Sequence, residues 1–340
     1  MKILNAMLGK GLGGIEQAFL DYTNALTQVG CKVVQIINKN AEIKKYLKED
    51  FYPVSNFSKY DPFTIIRLKK IIKAEKPDCI ITHGNRAARI LQFAANNVPI
   101  ISLCHNYSFK QLFKSKAIIT VADDLNVKIK QMGYKNVFTI PNMIEINDDI
   151  QFIAPQFYNP PIIGTVGRFV KKKGFDIFLK ALSILEQKKV EFKAIIGGEG
   201  EERENLEKMV RTLQLSDKVK IIGWVEDKES FYKNIDIFCL PSLHEPFGIV
   251  ILEAFKYSRP VISTKTEGPS NIITDRLNGL FAENDNPQSL ADKIELLIKN
   301  KELAINLARE GLNLVKTKYS SKVVGEQIMH TVTNILKTLN

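Results

Sequence analysis

The chain has 340 residues, 45% of them hydrophobic and 25% charged, which is the balance of a globular protein too long for one core, since single cores stop growing at about 250 to 300 residues. A formal charge of +11 favours anionic partners such as phosphorylated substrates, acidic lipid surfaces or nucleic acid, without choosing among them. No window holds the ~18 uncharged apolar residues of a membrane span, and MKILNAML lacks the length and cleavage signal of a secretory peptide, so a cytoplasmic protein is expected.

A strand at Lys2 to Met7 runs through Gly9, Gly11, Gly13 and Gly14 into a helix from about Ile15 to Val29, and a second strand follows at Lys32 to Ile37. Further strands are predicted at Cys79 to Thr82, Ile100 to Leu103, Ala117 to Val121 and Val137 to Ile140, with helical periodicity near Phe63 to Ala74 and Ala87 to Ala95. The proline-rich stretch Asn147 to Pro161 breaks this pattern and reads as a linker. A second series has strands at Ile162 to Val166, Phe192 to Ile196, Val219 to Ile222, Ile237 to Leu240, Pro260 to Ser263 and Gly279 to Phe281. Its helices cover Phe175 to Gln187, Glu201 to Leu213, Lys228 to Asn234, Gly248 to Tyr257 and Leu290 to Ile298, with two more in the tail. Such alternation predicts an α/β protein of two doubly wound, Rossmann-like parallel sheets, which bind ligands at the carboxyl ends of their strands and, facing each other, would enclose a cleft. Cys31, Cys79, Cys104 and Cys239 sit in or beside apolar runs without metal-ligand spacing and read as small buried hydrophobes.

Glu245 and Glu253 lie eight residues apart in SLHEPFGIVILEAF. Glu245 precedes a helix with Pro246 at its first turn, where the dipole favours a carboxylate. Glu253 has no such reason to be there: it falls two turns into an apolar helix, where a charge needs a partner and a pair of ligand hydroxyls would satisfy both oxygens. Amides near Phe247 and Gly248 open the same helix and suit a phosphate. Arg168 and Lys173, in VGRFVKKKGFD, follow a strand and suit a diphosphate, although a solvated basic loop reads equally well. Gly13 and Gly14 end a turn that either holds a phosphate or is simply tight; the spacing is not a clean dinucleotide fingerprint.

His83 and His105 each follow a strand of the first half; for either alone a satisfied structural histidine is the commoner reading, but two at strand ends on one rim suit a polar contact with a reacting group, for which His105 is preferred. In PFTIIRLKKIIKAEK, Phe63, Ile66, Ile71 and Ile72 are available for one side and Arg67, Lys69, Lys70 and Lys73 for others, the composition either of a packed surface helix or of one lying on anionic lipid. Lys110, Lys114 and Lys116, interleaved with Phe109 and Phe113, form a second basic patch, but no nucleic-acid module is recognisable and no nucleic-acid partner is expected.

With these residues in place, nearly the whole chain resembles the retaining glycosyltransferases of GT-B group 4. GLGGIEQ is similar to the family's N-terminal glycine loop, VADDL and IPNMIE to two loop segments, TVGRFVKKKGFD to its Arg/Lys motif, and GWVEDKESFYKNIDIFCLPSLHEPFGIVILEAF to its C-terminal signature, whose two spaced glutamates are the most specific feature. The resemblance implies an N-terminal acceptor-binding domain over 1–157, a nucleotide-sugar donor domain over 158–322, and a last helix over 323–340 packing back on the first domain. It implies Arg168 and Lys173 on the donor diphosphate, Glu253 on the ribose hydroxyls, Glu245 near the transferred sugar beside the Phe247 and Gly248 amides, and Gly14 on a phosphate. His105 is implied near the reacting carbon, with Gly13 and His83 on the acceptor side. Met143, Ala122 and KTEGPSNII around Gly268 depart from the pattern in the region of the sugar contacts.

The function implied is transfer of a sugar from a nucleotide diphosphate donor to a cell-envelope glycan or lipid-linked acceptor, such as a lipopolysaccharide or surface polysaccharide, with no metal or other cofactor; peripheral contact with the anionic inner face of the membrane is the expectation that the basic helix Phe63 to Lys76 adds on its own composition. The alternatives are another enzyme of the same fold, such as a nucleotide-sugar epimerase or a phosphorylase, and a non-catalytic scaffold for lipid or nucleic acid.

Overall fold

A computed structural model describes residues 1–11, 13–47, 51–56, 61–105, 108–109, 111–147 and 149–338. Lys110 of the second basic patch lies outside the described residues. The chain divides into two units, Met1–Glu145 with Tyr319–Asn340, and Ile146–Lys318.

Unit 1 opens with β1 (Lys2–Met7), α1 (Gly14–Gln28), β2 (Lys32–Asn38) and β3 (Phe51–Val54). It continues through α2 (Pro62–Glu75), β4 (Cys79–His83), α3 (Gly84–Ala94), β5 (Ile100–Cys104), β6 (Ala117–Thr120), α4 (Asp123–Gln131) and β7 (Val137–Thr139). Its sheet has the order β3-β2-β1-β4-β5-β6-β7, and the paired strands run parallel. The central strands are apolar and buried on both faces, as expected of a parallel sheet covered by helices, which is why their sequences read as continuous runs. β3 escaped the sequence reading because Pro53 interrupts it; a proline, lacking an N–H, is tolerated here because β3 is the edge strand.

Unit 2 contains β8 (Ile162–Val166), α5 (Phe175–Gln187), β9 (Lys193–Gly197), α6 (Arg203–Thr212), β10 (Val219–Ile222) and α7 (Lys228–Lys233). Then come β11 (Ile237–Leu240), α8 (Ile249–Lys256), β12 (Val261–Thr264), α9 (Glu267–Ile272), β13 (Leu280–Ala282), α10 (Pro287–Lys299) and α11 (Lys301–Leu314). Its parallel sheet has the order β10-β9-β8-β11-β12-β13. Buried Asp236, just before β11, accepts from the Tyr158 and Ile162 amides and so fixes the entry into β8.

The last helix, α12 (Ser321–Lys337), belongs to unit 1 and packs along α1, where the Gly325 position brings it close to the Ala25 carbonyl. The units divide at 145/146 and 318/319, upstream of the 157/158 and 322/323 boundaries read from the sequence. The reason is packing: Phe152 lies under Arg309, the Ile150 carbonyl accepts from Lys316, and Phe157 joins the core of unit 2, so most of the proline-rich stretch is part of that unit.

α2 corrects one sequence expectation. Ile71 and Ile72 face the core with Leu68, whereas Phe63 and Ile66 remain exposed among the basic residues, so the four apolar side chains do not share a side. No helix among the described residues is long and apolar enough to cross a membrane.

Candidate active site

In an open parallel sheet, the crevice for ligands lies where the strand order reverses, at the carboxyl ends of the strands flanking that point. In unit 2 this is between β8 and β11. The loop after β8 carries Arg168 and Lys173; the loop after β11 carries Ser242, Glu245, Phe247 and Gly248. The two loops are tied by their backbones, since the Leu243 amide donates to the Lys172 carbonyl over 2.9 Å. Gly174 follows Lys173 with φ of +65°, and a Cβ there would sit 2.0 Å from the Pro241 carbonyl oxygen, so only glycine permits this approach.

The ammonium of Lys173 lies 2.5 Å from Glu245 Oε2, and the Ser242 hydroxyl is 3.4 Å from the same oxygen. Glu245 is only 7% exposed, so this ion pair is what makes its burial tolerable. Arg168 is exposed and its guanidinium has no ion pair among the described residues. Phe247 is buried, and Gly248 caps α8 in the left-handed region with no side chain capping its amides. Gly268, at the start of α9, presses on this loop: its amide donates to the Glu245 carbonyl, and a Cβ would lie 2.4 Å from both Phe247 Cα and N. The departure from the family pattern around Gly268 therefore retains a glycine where the loop needs one.

Glu253 sits in α8 at 6% exposure. Its charge does need a partner, and the protein supplies one: Oε1 accepts from the Lys228 ammonium, and Oε2 lies 3.0 Å from the Tyr232 hydroxyl. That hydroxyl also lies 3.2 Å from the Val250 carbonyl, and its phenol is held protonated first by burial and then by the Glu253 charge. In the chain by itself both oxygens therefore have protein partners. The partners were illegible because they stand 25 and 21 residues away on α7. Lys228 is half exposed, so it can turn to solvent and yield its place on Oε1.

Unit 1 repeats the arrangement, its strand order reversing between β1 and β4. Gly13 caps α1 without a side-chain hydrogen bond, and Gly14, exposed, is the first helical residue. His83 ends β4 and His105 follows β5. The two imidazoles stack with centroids 5.4 Å apart and planes 19° apart, and the edges of Phe19 and Tyr22 meet the His83 ring. Both ring nitrogens of His83, His105 Nε2 and the Tyr22 hydroxyl are buried without a protein hydrogen-bond partner. Burial holds His105 down to about 4, and burial together with the neighbouring His105 holds His83 well below the ordinary histidine range. Both rings are therefore neutral at pH 7 and offer one donor and one acceptor each.

This pair makes stability depend on pH. Below the ordinary value of 6.5 the unfolded chain takes up protons that the buried rings refuse, so their contribution is complete above that value and is lost as the pH falls toward 4. The urea midpoint is expected to fall through this window, with His83→Leu removing up to about 1.4 kcal/mol per pH unit from the slope. Parallel pH profiles for variant and wild type would contradict the assignment.

Among known proteins, residues 147–313 match the model described as Glycosyl transferases group 1, and residues 12–148 match that described as Glycosyltransferase Family 4. The lipopolysaccharide core biosynthesis glycosyltransferase LpsE of Rhizobium meliloti is 27% identical over 337 residues, covering 95% of this chain and 96% of its own. A glycosyltransferase structure from Rickettsia africae superposes with a TM-score of 0.83 at 22% identity, over 99% of this chain and 98% of its own. The Anabaena HepE structure in complex with UDP gives the same TM-score at 19% identity, over 98% and 100%.

Proposed function

From the premise that this chain belongs to the GT-B glycosyltransferases, we propose that it is a retaining, metal-independent enzyme moving a sugar from a nucleotide diphosphate to an envelope glycan or lipid-linked acceptor. The observation that carries this reading is the Lys173–Glu245 pair at the strand-order reversal of unit 2, with the unpaired Arg168 on the same loop as Lys173. A cation pair and the amides opening α8 suit a diphosphate, and a buried carboxylate beside them suits the hydroxyls of a sugar.

In this reading Arg168 and Lys173 take the phosphates, Glu253 accepts from the ribose hydroxyls once Lys228 turns away, and Glu245 with the Phe247 and Gly248 amides orients the transferred sugar. In unit 1, Gly14 serves a phosphate, Gly13 and His83 line the acceptor side, and neutral His105 hydrogen-bonds the reacting partner. The bond from the anomeric carbon to the phosphate oxygen breaks while the acceptor oxygen bonds that carbon on the same face. The acceptor's proton passes to the departing phosphate oxygen. Charge grows on the diphosphate in this step, and the two cations and helix amides stabilise it without a divalent ion. LpsE acts in lipopolysaccharide core synthesis by its name, which supports a core or surface glycan as the acceptor class. HepE was solved with UDP, which makes uridine diphosphate sugars the first donors to try. The work is placed in the cytoplasm at the inner membrane face, where nucleotide sugars meet lipid-linked acceptors.

The test is a nucleotide-sugar panel read by thermal stabilisation, since a ligand that binds only the native state raises the midpoint, followed by transfer assays in chelator and by the anomeric configuration of the product. An inverted linkage would end the retaining assignment, and absence of stabilisation by every donor would end the transferase reading. Glu253→Ala should weaken donor binding at least about tenfold, one lost charged hydrogen bond being worth about 1.5 to 3 kcal/mol. Folding should change little, because the Tyr232 hydroxyl keeps the Val250 carbonyl and Lys228 reaches water. Unchanged donor affinity by calorimetry would remove Glu253 from the site.

A further inference from the structure

Tyr22 of α1 brings a phenol to the histidine pair of unit 1. It is 1% exposed, and its ring lies 5.2 Å from that of His83, centroid to centroid, at 84°. His83 in turn lies 5.4 Å from His105. In this cluster the Tyr22 hydroxyl, both nitrogens of His83 and Nε2 of His105 are buried, and none has a protein hydrogen-bond partner. Buried polar atoms are costly to leave unpaired, and four in one contiguous group are best satisfied as members of a single chain of hydrogen bonds. A site with several polar groups around it is also where one buried water settles and bridges them. Because Nε2 of His105 faces inward, Nδ1 is the nitrogen of that ring left to meet a ligand.

Whether His105 offers that ligand a donor or an acceptor depends on the interior chain. A neutral imidazole carries one N–H, and the nitrogen that carries it is set by the hydrogen bond the other nitrogen makes. A carboxylate often makes that choice. Here burial and, at His83, the neighbouring ring account for where both histidines titrate, so no charged side chain stands near enough to make it. Tyr22 remains. Burial keeps its phenol protonated, and an unmet O–H is a heavier loss than an unmet lone pair on the same oxygen, so the phenol donates. We propose that Tyr22 donates to one nitrogen of His83, that the other His83 nitrogen donates through an ordered water to Nε2 of His105, and that His105 therefore presents Nδ1–H to the substrate as a donor. Tyr22 and His83 are then positioning residues, His83 lining the acceptor side from behind His105. The inference deepens the reading of His105 given above and rests on it. A ring that donates from Nδ1 cannot take up the acceptor's proton there, in keeping with passage of that proton to the departing phosphate oxygen.

Nitrogen NMR of the full chain tests this without any substrate, because protonated and bare imidazole nitrogens differ widely in chemical shift. The chain has four histidines, and the signal that His105→Gln removes assigns His105 among them. At pH 7 a bare Nε2 and a protonated Nδ1 are expected. Tyr22→Phe keeps the ring and deletes the O–H: the two tautomers should mix, the urea midpoint should fall, and turnover should drop about fivefold at an unchanged KM for the donor, the worth of one neutral hydrogen bond. An idle hydroxyl would instead leave the midpoint equal or higher. A protonated Nε2 in the wild type would overturn the proposal, as would an unchanged tautomer in Tyr22→Phe. A lower midpoint beside that unchanged tautomer would assign the hydroxyl to Asn5 Oδ1, another buried and unpartnered acceptor, whose amide donates to Phe19 and Thr23 of α1. The expected tautomer in a chain that transfers no sugar sinks the transferase reading alone, and transfer by a chain whose His105 is protonated on Nε2 sinks this proposal alone.

Discussion

Lys173→Met is expected to cut turnover by about 10²- to 10³-fold, the loss that follows removal of one pre-positioned charge from a developing anion. Methionine keeps the stem and deletes only the ammonium that lies 2.5 Å from Glu245. Glu245 is then left with the Ser242 hydroxyl at 3.4 Å. Breaking a fully buried pair costs about 3 to 5 kcal/mol, but the Lys173 side chain is 23% exposed and water reaches the site, so about 1 to 3 kcal/mol is the expected loss of stability. Adding Glu245→Gln removes the stranded charge and should restore much of the stability while leaving turnover low. Denaturant midpoints and initial rates on the single and double variants separate the two effects. A wild-type rate in Lys173→Met would place that lysine outside the chemistry.

The second large effect is structural. Gly174→Ala should destabilise unit 2 by about 3 to 5 kcal/mol, because the new Cβ meets a backbone atom that cannot step aside, and because alanine disfavours the left-handed region by about 1 to 2 kcal/mol. The clash is with the Pro241 carbonyl oxygen at 2.0 Å, so the loops after β8 and β11 must separate and the Lys173–Glu245 pair with them. Gly14→Ala is the control: a Cβ there meets nothing within 4 Å, and stability should move by less than about 0.5 kcal/mol. Thermal midpoints of the two variants decide it, and equal shifts would show that the approach of the loops carries no such constraint.

The alternation of strands and helices was legible because each central strand is buried on both faces and therefore reads as an unbroken apolar run. Elements with conflicting local signals were not: α9 contains Gly268 and Pro269, which read as a turn, and α4 begins on two aspartates in a short polar segment. The residues of the candidate site were visible as charges and glycines at strand ends, but their partners were not. Lys173 meets Glu245 across 72 residues and Glu253 meets Lys228 across 25, distances over which spacing carries no information. The stacking of His83 on His105 likewise follows from β4 and β5 being neighbours in register, a fact of sheet order rather than of either sequence segment.

α12 gives the molecule an order of assembly. Unit 2 is inserted between two parts of unit 1, and the chain leaves and re-enters side by side, Ile144 pairing with Ser320 and exchanging backbone hydrogen bonds with Tyr319 and Ser321. During synthesis the stretch 146–318 is therefore complete before the helix that covers α1 has been made, so the part that begins first must finish last. A nascent chain halted near residue 318 would hold a finished unit 2 and an N-terminal part of unit 1 whose Ile3, Leu26 and Ile101 still await the Val324, Ile328 and Val332 side chains.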